Sequence, residues 1–355
     1  MPESGRMFLP RYLLIAYVLL VVYASLHPFF GWRDQGVSPD AFLFAALPRY
    51  FTWFDLAANV LAYLPLGFLL VLGFNVPGRP ALAIGGAVSC AFLLSLALEA
   101  LQAYLPSRIP SNLDLLCNTA GALAGAALGA RTAPRLLGAR MRELRREWLA
   151  PGPHTDLGLV LLGLWLLTQA NPALLLFGNG DIRAKLALNL TPFSADVFRV
   201  METGIVVLNA IALGLLAALT ARNRQYAWPV VIVALLCTLL AKALASALLF
   251  KPENYLAWLT PGAADGLEIG ALALLVVLWL PRPILAVLAA ILLLAAAMMV
   301  NLVPENPYHL STLPQWQQGQ FLNFNGLTSF VALLWPVGAV AWALRVADQR
   351  PARGL

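Results

Sequence analysis

Charge is scarce in this 355-residue chain: Asp, Glu, Lys and Arg make up 11% of positions, hydrophobic residues make up 61%, and the mean hydropathy is +0.78. Soluble domains carry about 25% charged residues, so a water-soluble globular fold is excluded. Histidine and cysteine are scarcer still, with three of each. His27, His154 and His309 stand apart without metal-ligand spacing. Cys90, Cys117 and Cys237 fall inside apolar runs and form no disulfide or metal pattern, which marks them as inert core residues. There is no Walker loop, Gly-x-Ser-x-Gly or Cys-x-x-Cys. Neither a metal nor a cofactor is expected.

Long apolar sequence is abundant. Segmenting it gives about ten spans of the length that crosses a ~30 Å hydrocarbon core. They cover approximately 11–30, 55–74, 81–105, 113–130, 156–177, 199–220, 227–250, 263–280, 283–303 and 324–345. The fold class is therefore an all-α polytopic membrane protein. The first span lacks a small-x-small cleavage site and ends in His27-Pro28, so it reads as a retained helix and not a signal peptide. The arginines cluster in loops that share one side when both termini are cytoplasmic, which sets the orientation by the positive-inside rule. The basic pI of 9.5 is thus topological and implies no nucleic-acid partner.

The spans group into a four-helix unit at 1–130, a basic cytoplasmic linker at 131–155 and a six-helix unit at 156–355. Within the linker, Met141-Arg142-Glu143-Leu144-Arg145-Arg146-Glu147-Trp148 reads as a short interfacial helix whose arginines anchor topology. An internal echo runs through the chain. His27-Pro28, Asn171-Pro172 and Asn301 with Pro304 each close a span. Ser38-Pro39-Asp40, Thr191-Pro192-Phe193 and Leu313-Pro314-Gln315 follow, and Asp55, Glu202 and Asn325 head the next spans. This spacing suggests a degenerate 4+4+2 repeat of parallel units.

Polar residues interrupt the apolar spans at one depth. Asp55 and Asn59 lie four apart at the start of the second span; Ser95, Glu99 and Gln102 share a stripe near the end of the third. Arg108 sits in the connecting turn, and Asp114 and Asn118, again four apart, open the fourth. All fall toward the outer leaflet in the expected orientation. Ionisable groups at such positions are costly and default to a functional reading. Arg108 suits bidentate capture of a phosphate or carboxylate, the amides suit hydroxyls, and Glu99 or Asp114 could serve as a catalytic acid or base. A structural reading stands beside this: Asn, Gln, Ser and charge pairs also tie membrane helices together, and Asp55 and Asp114 both fit helix N-caps. Gly121-x-x-x-Gly125 reads as a packing motif. In the second half, Lys242 is expected to pair with Glu202, Asp265 or Glu268.

Together, Asp55-x-x-x-Asn59, Pro65-Leu66-Gly67, Ser95-x-x-x-Glu99-x-x-Gln102, Arg108 and Asp114-Leu115-Leu116-Cys117-Asn118-Thr119-Ala120-Gly121 make residues 1–130 resemble the VanZ-like membrane protein family. Many members carry an acidic residue between the Arg and Asp of the motif, where this chain has Ser111-Asn112. The resemblance implies a link to glycopeptide (teicoplanin) resistance or to envelope and exopolysaccharide genes in Gram-negative bacteria. It carries no settled activity.

The reading that follows is a bacterial inner-membrane protein with an amphiphile-binding cluster in its outer half. Its expected partners are membrane lipids, a lipid-linked glycan or a phosphate-bearing lipid, and envelope or exopolysaccharide assembly proteins. The site is formed by Asp55, Asn59, Glu99, Gln102, Arg108, Asp114 and Asn118. The alternatives are a flippase-like transporter and a non-catalytic membrane partner in polysaccharide assembly.

Overall fold

The computed structural model describes residues 8–74, 76, 78–171, 174–183, 193–249, 255–304 and 322–348. Thr191-Pro192, Pro172, His309 and Leu313-Pro314-Gln315 lie outside the described residues. Twelve helices and no strand occur among the described residues. Eight of the helices are long and apolar enough to cross a bilayer. They are α1 (Leu9–Leu26), α3 (Trp53–Phe74), α4 (Pro80–Gln102), α5 (Asn112–Leu136), α8 (Ala195–Thr220), α9 (Arg224–Leu249), α11 (Arg282–Leu302) and α12 (Leu322–Asp348). Two further helices, α7 (Pro153–Gln169) and α10 (Pro261–Val277), have 17 residues each and stand where the fifth and eighth spans were expected. The short helices α2 (Ala41–Phe44) and α6 (Ala139–Trp148) complete the set. The chain is a multi-pass membrane protein. Its outward faces carry large bare side chains such as Leu19, Leu93, Leu248 and Met298, which bilayer hydrocarbon accommodates and water would not.

Helix boundaries follow local chemistry. Proline opens α4, α7 and α10, where its missing N–H is one the first turn does not use. Ser111 caps α5 by accepting from the backbone N–H groups of Leu113 and Asp114 at 3.2 and 3.3 Å, and Thr260 caps α10 by accepting from Ala263 at 3.1 Å.

The chain divides between Arg145 and Arg146 into two compact units. In the first, α3 packs most closely against α5. A Cβ at Gly121 would collide with the Val60 carbonyl, one at Gly125 with that of Leu64, and one at Gly67 with that of Ala122. Only glycine lets the two backbones touch in this way. Helices α1 and α4 complete the bundle around Tyr63, Leu66, Ala87, Ala91, Leu98 and Ala122.

In the second unit α8 is central, its Ile205–Thr220 stretch almost entirely buried among α7, α9, α10 and α11. Gly262, Gly266 and Gly270 of α10 lie against the Arg199, Thr203 and Val207 carbonyls of α8. The Trp165 and Trp335 rings pack tilted, with centroids 4.6 Å apart. Here the structure departs from the sequence expectation. The fifth span was expected to run to 177, but α7 stops at Gln169 and Leu174–Arg183 runs as largely non-helical, partly buried backbone. Its apolar residues imitate a helix continuation because burial in a loop demands the same side chains. Phe177 and Gly180 adopt positive φ, a backbone conformation that a right-handed helix does not contain.

The glycine contacts give a direct test. Gly125→Leu should cost about 3 kcal/mol or more and depress the unfolding midpoint in detergent. Gly85→Ala, on α4 with open space around its Cβ position, should be neutral or stabilise by about 0.5–1 kcal/mol. Equal midpoints for the two variants would refute the close backbone contact.

Candidate functional site

All seven residues singled out from the sequence gather where α3, α4 and α5 meet at the α4–α5 turn, and the geometry sorts them into two groups. The first serves the end of α1. Arg108 donates from Nε to the His27 carbonyl at 3.0 Å and from Nη2 to His27 at 2.7 Å and Ala24 at 3.0 Å. Gln102 donates from Nε2 to the Ser25 carbonyl at 3.0 Å. The last carbonyls of a helix have no intrahelical donors, and a guanidinium there also complements the negative end of the helix dipole. Burial draws the Arg108 pKa down while the charge of Glu99 acts the other way, and the group stays cationic. Burial, reinforced by Arg108, pushes the His27 imidazole below its ordinary value.

The second group is acidic and acceptor-rich. Glu99, 4% exposed, accepts from the Ser111 backbone N–H at 2.9 Å, so α4 holds the N-terminus of α5. Asp114 is half-buried, hydrogen-bonded by the Asn59 side chain, and lies within the field of Asp55 and Glu99. Asp55 is exposed and closes a reciprocal cap: Thr52 donates to it through Oγ1 at 2.7 Å and N at 3.2 Å, and the Asp55 N–H returns to Thr52 Oγ1 at 3.1 Å. One turn below Asp114, Asn118 donates to Ser95 Oγ at 2.9 Å, but its Oδ1 is buried without a partner. An orphan acceptor of this kind normally marks a water or a ligand group. Among the described residues no group of three or more His, Cys, Asp and Glu is placed to hold a metal ion.

Two contributors were not singled out in the sequence. Tyr63 is buried and hydrogen-bonded to Ser95; it extends the Asp55–Asn59 stripe by one more four-residue step, a signal that was present. Ser111 offers a Ser-x-x-Asp capping pattern with Asp114. The segment leading into the site lies over the turn: Gln35 donates to the Ala103 carbonyl, the Arg33 N–H to Tyr104 and Asn112 to Ala45. It presents bare rings at Phe44, Tyr50 and Trp53, the last 82% exposed, beside exposed Ile109. Rings so placed are typical of the membrane–water boundary.

In the second unit Lys242 also departs from expectation. Asp265 pairs with Arg199 at 2.6 Å, Glu202 accepts from Thr260 Oγ1 at 2.7 Å, and Lys242 donates to the Asn171 and Leu174 carbonyls at 2.8 and 2.7 Å. Glu202 and Asp265 thus have their partners on the α8–α10 contact, and among the described residues Lys242 forms no ion pair with either of them or with Glu268. Lys242 instead binds the carbonyls just beyond the end of α7, as Arg108 binds those at the end of α1.

Residues 12–132 match the family model described as VanZ/LLP1. The match runs from α1 into α5 and contains all seven site residues, so the N-terminal unit is VanZ-like. Comparisons with curated proteins and with solved structures gave no match.

Arg108→Ala strands two carbonyls of α1 and should cost about 2–4 kcal/mol, against about 1 kcal/mol for Gln102→Ala. Unfolding midpoints in detergent measure both. An Arg108→Ala protein as stable as the wild type would show that the guanidinium does not hold α1.

Proposed function

We propose that this chain is a bacterial inner-membrane protein with both termini cytoplasmic, and that it binds the head group of an amphiphilic envelope molecule at the α3–α4–α5 cluster. The ligand class is a lipid-linked glycan or a phosphate-bearing lipid. The observation that carries the reading is the acceptor set of Asp114, Glu99 and the buried, unpartnered Asn118 Oδ1 beside exposed interfacial rings. Carboxylates and amide oxygens accept hydrogen bonds from hydroxyls, so the glycan or hydroxylated part of the head group falls to Asp55, Asn59, Asp114 and Asn118. Arg108 and Gln102 hold the end of α1 behind them, and the apolar outer faces of the helices receive the tails. If the bound molecule is also processed, Glu99 or Asp114 is the acid or base within reach of it.

A second reading has one observation in its favour. Arg108, Gln102, Ser95 and Glu99 each spend hydrogen bonds on neighbouring helices or turns, as they would in a non-catalytic membrane partner for polysaccharide assembly. The flippase-like alternative gains no such support.

Native mass spectrometry of the detergent-released protein separates these readings. The wild type should carry a defined glycosylated or anionic lipid, and Asp114→Asn and Glu99→Gln, checked for folding, should lose most of it. Identical generic lipids on all three proteins would favour the structural reading.

A further inference from the structure

The second unit contains polar groups that neither its packing nor the N-terminal cluster accounts for. Asn179 is 3% exposed, and both its Nδ2 and its Oδ1 lack any partner. A buried amide with every hydrogen bond unmade is among the more expensive features a membrane interior can hold. It lies in Leu174–Arg183, non-helical backbone of the sort tolerated inside membrane proteins only where protein or a polar cavity surrounds it.

The backbone around it is pinned on every side. The Phe177 N–H donates to Gln169 Oε1 at 3.0 Å, and the Phe177 ring lies 5.6 Å from Trp165. The Gly180 N–H donates to the Ala332 carbonyl at 2.9 Å, an acceptor left free because Pro336, four residues on in α12, has no N–H. Asn301 of α11 donates to the Gly180 carbonyl at 2.8 Å and accepts from the Ile182 N–H at 2.8 Å. Gly180 holds φ +85, and a Cβ there would meet Ala297 at 3.1 Å. So the segment is held while the one side chain between Gly178 and Gly180 is left unpaired.

Within the segment Asp181 and Arg183 offset each other in an ion pair of 2.6 Å, which among the described residues leaves Lys242 as the unbalanced charge bound to it. Lys242 is fully buried. Its two acceptors are neutral carbonyls, that of Asn171 just beyond α7 and that of Leu174 at the start of the segment, and among the described residues it forms no ion pair. As an ammonium it has three donors, two of them engaged. Gln169 and Asn171 line the same stretch as neutral amides.

We propose that the Leu174–Arg183 segment is a binding site for a protonatable oxyanion, a phosphate or phosphate monoester. The P–O⁻ oxygens would accept from Asn179 Nδ2, with Lys242 supplying the balancing charge, and the P–OH would donate to Asn179 Oδ1. An amide orphaned at both ends needs a ligand that both accepts and donates, and sulfate, which carries no O–H at neutral pH, meets only half of that requirement. The phosphate could be free or could belong to a lipid head group.

Thermal unfolding of the full chain in neutral detergent tests this with inorganic phosphate, sulfate and a short-chain phosphatidic acid as probes. At about 10 mM, inorganic phosphate should raise the wild-type midpoint by about 3 °C or more, with sulfate giving markedly less. Asn179→Leu, which removes the orphan, and Asn179→Asp, which keeps the shape and adds a repelling charge, should both abolish the shift. A shift with phosphatidic acid alone assigns the site to a lipid head group, and one with inorganic phosphate assigns it to the free anion. The proposal fails if neither phosphate probe shifts the wild type, if sulfate matches phosphate, or if either folded variant keeps the shift. In those cases Asn179 holds ordered water only.

Discussion

The contact between the α3 and α5 backbones at Gly121 and Gly125 fixes the register of the polar residues above it. Gly121 meets the Val60 carbonyl, one residue from Asn59 and less than one turn from Asn118. With the backbones touching, the Asp55–Asn59 stripe of one helix has to face the Asp114–Asn118 stripe of the other. A larger residue at either glycine would push the helices apart and dissolve the carboxylate cluster along with the packing. In this unit the small-residue motif and the polar motif act as one device, the first setting the distance and the second using it.

A second constraint recurs in both units: a cation bound to main-chain carbonyls where a helix ends before an X-Pro step. Arg108 does this at Ala24 and His27, and Lys242 at Asn171 and Leu174. Both units also set a glycine-lined helix, begun by a Ser or Thr cap, against a central helix, and in both a buried carboxylate reaches the capping residue. In a low-dielectric interior, carbonyls without donors are costly, and one cation can serve several. The consequence for chemistry is that the basic residue in the polar cluster is already engaged, so under the proposed function the acidic and amide groups are the ones that would meet a head group.

Much of this was legible in the sequence. Hydropathy and span length foretold an all-α membrane protein, because lipid admits few alternatives. The i,i+4 pairs and the Ser95–Glu99–Gln102 stripe could be read as one-faced because helix periodicity dictates it. What escaped has a shared cause: backbone acceptors have no letter in a sequence. The partners of Arg108 and Lys242 are carbonyls, so side-chain logic assigned Lys242 to carboxylates that bind elsewhere. The segment beyond α7 escaped for a different reason, since Leu174, Leu175, Leu176 and Phe177 satisfy the apolar requirement of a span equally well as a buried loop.

If the α3–α4–α5 cluster holds a head group, as proposed, it is more than a brace between helices. Electron cryomicroscopy of the protein in nanodiscs made from the lipids of its host membrane distinguishes a head-group site from a brace. A head-group site should show ordered head-group density against Asp114, Asn59 and Asn118, with acyl density continuing along the outer helix faces. A cluster closed by side chains and water alone, with lipid density no different there from elsewhere on the protein, would contradict it.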